Sequence, residues 1–305
     1  MVSDTPASFG LVVLFDTVTI LSFVLIVIIV ATAYLSKYVQ RRRVWYGQMV
    51  QWMIYCISYM LLFRFQRDTE PPRLLCLLQA SFIYACPPAC AAGSACFMID
   101  FYMSLSPLHR KPTQRIRRLG LLLNSLPWVV LVSAALQVVL FAVATGDRDI
   151  AQRSHFFCNI SNQEPTVVSV ILVLLALVVW FFFEVQSGII LYQNRLDFKR
   201  MNYKMSLDYV SLYIRSAIFT VGMLIAIGLS IYSLSLPPQS GPWSIALPFM
   251  PIFVAVVFGS QGDIMRVWVF WRKRKAVEEE EEPSFTSQLA LTFDDFFPQK
   301  SIQML

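Results

Sequence analysis

The residues able to do chemistry in this 305-residue chain are few, and most sit inside apolar surroundings. Two histidines, His109 and His155, are too few for a histidine-built metal centre or for a seven-helix zinc hydrolase. A retinal pump needs a Schiff-base lysine in its last apolar stretch, and residues 244–271 contain no lysine. No catalysis and no cofactor are therefore expected. A different pattern stands out: Asp16, Arg64, Asp100, Glu184, Arg215, Asp263 and Arg266 all fall within or beside long apolar runs. Ionisable groups in hydrocarbon are costly, so each marks a partner, water or a function. Six cysteines complete the set: Cys56, Cys76, Cys86, Cys90, Cys96 and Cys158.

The elements that must position these residues follow from composition. Hydrophobic residues make up 57% and charged residues 14%, with a mean hydropathy of +0.59. A soluble domain has about 45–50% and about 25%. Such a chain is an integral membrane protein; disordered, fibrous and nucleic-acid-binding readings fail. Seven apolar runs each reach the roughly 20 residues that a bilayer core requires of a helix. They cover about 9–35, 44–65, 74–105, 119–144, 166–192, 209–236 and 244–271. The expected fold is all-α: a seven-helix membrane bundle over 1–275, then a cytoplasmic tail over 276–305. The tail carries Glu278 to Glu282 in a row and is expected to be disordered, with Ser284, Thr286 and Ser287 as candidate phosphorylation sites. The first run reads as a span rather than a cleavable signal, because it is long and no basic residue precedes it. Twenty of the 25 Lys and Arg residues fall on one side of this arrangement, which places the N-terminus outside and the C-terminus in the cytoplasm. The same basic face attracts anionic lipid.

With spans and orientation in hand, roles can be assigned. Cys56, Cys86, Cys90 and Cys96 lie inside spans and read as small packing residues. Cys76 and Cys158 lie at the outer level, in an oxidising compartment, and are expected to bridge. Asn159 opens an Asn-Ile-Ser glycosylation sequon beside Cys158. Asp16 either pairs with Arg64 at the outer end or faces a wet cavity. Glu184 follows Trp180 to Phe183 deep in the fifth run and either faces the bundle interior or meets water. Pro87-Pro88 is expected to kink the third span, with small residues after it that admit close neighbours. On the outer side of the kink Gln79, Ile83 and Tyr84 share a helical face and, with Pro87, form a candidate ligand pocket.

Seven spans, an outer N-terminus, short loops and a cysteine at the head of the third span facing one in the second outer loop resemble the rhodopsin-like G-protein-coupled receptors over residues 9–275. Ile99-Asp100-Phe101-Tyr102 stands where that family has Asp-Arg-Tyr, and Pro107-Leu108 follows. The chain also looks like a set of seven-helix receptors from mushroom-forming fungi, through Phe258-Gly259-Ser260-Gln261-Gly262-Asp263 and Phe270-Trp271-Arg272. It departs from the larger family at several points. Phe101 replaces the motif's arginine, the sixth span has no proline, and the seventh has Leu247-Pro248-Phe249-Met250-Pro251 instead of Asn-Pro-x-x-Tyr. The second span has no buried aspartate for a sodium site. The family's activation switches therefore do not carry over residue by residue. The resemblance implies a plasma-membrane receptor that passes an extracellular ligand's signal to a heterotrimeric G protein. It implies an inner-face switch at Asp100, Tyr102 and Arg215, with Asp263 as an alternative acid. The competing reading has Arg215 reaching lipid phosphate and Asp100 meeting loop arginines such as Arg115. Ile83 stands where amine receptors hold a carboxylate, which argues against a cationic amine ligand. A transporter or channel for a small solute is the alternative function, although no paired broken helices are visible.

Overall fold

The computed structural model describes residues 9–36, 39, 41–65, 71–105, 114–145, 151–153, 156–193, 203–234 and 247–268. The elements in order are α1 (Phe9–Leu35), α2 (Arg43–Met60), a 3-10 turn (Phe63–Phe65), α3 (Arg73–Leu105), α4 (Gln114–Thr145), β1 (Ala151–Arg153), β2 (Cys158–Ile160), α5 (Glu164–Gln193), α6 (Tyr203–Leu234), α7 (Phe249–Gly259) and α8 (Gly262–Trp268). Residues to Val267 form one compact unit. The expected acidic tail lies outside the described residues.

Among the described residues five helices are long and apolar enough to cross a membrane: Gly10–Leu35, Arg73–Leu105, Leu119–Thr145, Glu164–Gln193 and Tyr209–Gly228. The sequence led us to expect seven. The two missing runs are helical but differ in kind. Over 44–65 the helix stops at Met60 and tightens into the 3-10 turn. Its eighteen residues include Arg43, Gln48 and Gln51, which dilute its hydropathy. The last run breaks: α7 is eleven residues, about 16 Å of helix, and α8 is seven. Ser260 ends α7 by donating its N–H to the Val256 carbonyl at 3.1 Å.

α3 is the hub. It packs against α2, α4 and α5, while α1 packs on α2 and α7. The small residues Ala89, Ala91, Ala92, Gly93, Ser94 and Ala95 are all buried, so neighbouring backbones approach closely. α3 stays helical through Pro87 and Pro88. A proline lacks the N–H that would bond the carbonyl four residues back. For Pro88 that carbonyl belongs to Tyr84, and the Ser169 hydroxyl of α5 donates to it at 2.9 Å. A side chain from a neighbouring helix thus replaces the missing backbone donor. α4, α5 and α6 turn large apolar side chains outward, among them Leu122, Val129, Val143, Val178, Phe181 and Val221. Such a surface suits lipid rather than water.

Candidate functional site

The structure joins Cys76 to Cys158, with Cα atoms 5.3 Å apart. Cys158 lies in β2, which pairs antiparallel with β1 so that Gln152 faces Asn159 and Arg153 faces Cys158. The bridge therefore fixes a two-stranded hairpin to the start of α3. Apolar packing supports it: Cys76, Cys158, Leu62, Ala80, Val138, Ala142 and Ile160 form one buried cluster. Just before β2, Phe156 is buried and stacks on Phe15 of α1 at 5.1 Å, while Phe157 meets the Tyr59 ring edge-on at 5.7 Å. The hairpin and its aromatic lead-in thus fill the disulfide end of the bundle. Asn159 is half-buried in this ladder.

The four candidate pocket residues take unequal parts. Gln79 is fully buried with both ends of its amide engaged: Nε2 donates to the Ser58 carbonyl at 3.0 Å, and Oε1 accepts from the Cys158 N–H at 2.9 Å. Tyr84 accepts from the Ile160 N–H at its hydroxyl, at 3.3 Å. Both residues hold the hairpin in place. Ile83 is buried, and Pro87 is half-buried. The aromatic lead-in Phe156 carried no expectation in the sequence, because an apolar residue in a polar loop becomes a plug only when the helix it meets is known.

At the opposite end Asp100 does not meet Arg215. Arg42, in the segment before α2, places Nη1 2.8 Å from Asp100 Oδ1. The Arg42 side chain is 60% exposed and that of Asp100 13%. Arg215 of α6 turns instead to the end of α7, donating to the carbonyls of Ser260 at 2.6 Å and Val257 at 3.4 Å. Val257 is in the last turn of α7 and Ser260 is its C-cap residue; the Val257 carbonyl also accepts from the Ser260 hydroxyl at 3.3 Å, and a guanidinium suits this negative end of a helix. Tyr102 packs on Phe183 of α5, rings 5.3 Å apart. The side chains of Asp263, Arg266 and Arg115 lie outside the described residues, as do His109 and His155.

Arg64 is exposed and does not pair with Asp16, which is half-buried in α1. Glu184 is buried between α5 and α6, among donors. Thr220 Oγ1 lies 2.5 Å from Oε2, Ser216 Oγ 3.1 Å from Oε1, and Trp180 Nε1 3.3 Å from Oε2. Each donor also has a second acceptor: the Ser216 carbonyl for Thr220, the Tyr213 carbonyl for Ser216, and Thr220 Oγ1 for Trp180. This cluster knits α5 to α6 with polar bonds. Among the described residues no group of three or more His, Cys, Asp or Glu is placed to hold a metal ion.

The geometry therefore offers two ends joined by one helix, each held by a residue from elsewhere in the chain. Comparison with protein-family models and with curated proteins finds no match for this chain.

Proposed function

We propose that the protein is a multi-pass receptor of the plasma membrane, with its N-terminus outside, seven crossings and its C-terminus in the cytoplasm. It passes the signal of an extracellular ligand, not a cationic amine, to a heterotrimeric G protein. The observation that carries this reading is the continuity of α3. Near one end, Gln79 and Tyr84 grip a disulfide-pinned hairpin. Near the other, Asp100 is tied to Arg42. A shift of the hairpin reaches the far end through one packed helix, and the two ends carry the sequence asymmetry a receptor needs. In this reading α2 is the second crossing, its two glutamines tolerated because they face protein. The α7–α8 pair is the last, broken where Arg215 caps it. A ligand shifts the equilibrium between closed and open forms only through different affinities for the two.

The test is co-purification with a G-protein α subunit from the membranes in which the protein is expressed. Association without nucleotide that is lost on adding guanine nucleotide is the expected result. Absence of any α subunit under both conditions, from protein that is folded and at the cell surface, overturns the receptor reading.

A further inference from the structure

The face of α2 that meets α3 carries polar atoms with nothing to bond. Gln48 and Gln51 are 1% and 2% exposed and stand one turn apart, about 4.5 Å along the axis. Gln48 Nε2 donates to Ser94 Oγ at 2.8 Å, but its Oε1 has no partner. Gln51 Oε1 has none either, and it lies against Gly93 where a Cβ would collide with it. Gly93 and Ser94 are consecutive, so both amides converge on one spot of α3. Trp52, one turn from Gln48 along α2, is 3% exposed; its ring meets Phe219 of α6 at 6.5 Å, and its Nε1 is likewise unbonded. The Ser94 hydroxyl is already committed, donating to the Cys90 carbonyl at 2.9 Å.

We propose that Gln48, Gln51, Gly93, Ser94 and Trp52 form a binding site for ordered water between α2 and α3. The chemistry selects the occupant. Two amide oxygens ask for donors, and an indole N–H asks for an acceptor. Water is both, and it ordinarily makes about three bonds in such places. A metal ion accepts no hydrogen bond, and the carboxylate on this stretch of α3, Asp100, is about 9 Å along the axis from Ser94 and already paired with Arg42. Gly93 lets the Gln51 amide lie directly against the α3 backbone, since a side chain there would collide with it. The site stands whether or not the protein is a receptor.

Radiolytic hydroxyl-radical footprinting of the intact protein in lipid nanodiscs tests the proposal, because radicals arise from water at the site itself. Trp52 is expected to be oxidised several-fold faster than the equally buried Trp180, whose N–H is bonded within the protein. Equal rates overturn the proposal. A second measurement is thermal unfolding of Gln51→Leu, a substitution close to isosteric. If water satisfies the amide, the variant loses those bonds and its Tm falls by about 2 °C or more. If the site is dry, removing an orphaned amide raises Tm and the proposal fails. Replacing choline by sodium at fixed ionic strength should leave Trp52 labelling unchanged. Sodium protection of Trp52 that disappears in Gln51→Leu makes the occupant a cation and also overturns it.

Discussion

Arg42 and Asp100 share one contact but stand in different surroundings, one mostly in solvent and the other mostly in protein. An ion pair with an exposed partner is worth about 1 kcal/mol or less. Arg42→Ala leaves a largely buried carboxylate without its cation, so it should cost about 1–2 kcal/mol. Asp100→Asn leaves an arginine free to hydrate and should cost under about 1 kcal/mol. A double-mutant cycle by thermal unfolding should give a coupling of roughly 0.5–1 kcal/mol for Arg42 with Asp100. Arg215 with Asp100 should give none, because Arg215 is spent on α7 carbonyls. Equal coupling for the two cycles would contradict the geometry. That Asp100 would need a basic partner was legible from its place at the end of an apolar run. Which partner was not, since Arg41, Arg42, Arg43 and several other loop residues carry the same charge and only three-dimensional placement chooses among them.

Helices interact here through the backbone faults that their sequences create. Pro88 removes a donor from α3, and Ser169 of α5 supplies one. Ser169→Ala should therefore cost about 1 kcal/mol in the wild-type chain. In a Pro88→Ala background the restored N–H can serve the Tyr84 carbonyl, and the same substitution should cost far less. Equal costs in both backgrounds would show that the hydroxyl does something else. The hairpin is held covalently as well. Closing the 82-residue separation between Cys76 and Cys158 is worth about 4 kcal/mol on the chain-entropy model. In a bilayer that is an upper bound, because unfolded helices stay inserted. Non-reducing peptide mapping should find the linked peptides; two free thiols would contradict the structure. At this scale the proline pair was visible in the sequence as a fault in α3, but its remedy was not, since a serine in a distant apolar run carries no mark of its target. Likewise Gln79 and Tyr84 were legible as one face of α3, yet their hold on the hairpin depends on where the loop folds back.

The spans that were legible along the whole chain are those whose apolar character is continuous: α1, α3, α4, α5 and α6. The other two also read as apolar runs of span length, and there the structure departs, in α2 because Arg43, Gln48 and Gln51 lower its hydropathy and in the last run because the helix breaks after Gly259. On the proposed topology a tag after Leu305 should be protected from protease in sealed cells, and digestion from outside would defeat that topology. The buried polar face of α2 also bears on biosynthesis. The translocon sorts each emerging segment by its own hydrophobicity, and a segment with Arg43, Gln48 and Gln51 is a poor candidate on its own. Those glutamines become tolerable only beside Gly93 and Ser94, which emerge some forty residues later. Nascent chains truncated after the 3-10 turn should therefore leave α2 largely uninserted in glycosylation mapping, whereas chains extended through Leu105 should insert α2 and α3 together as a pair.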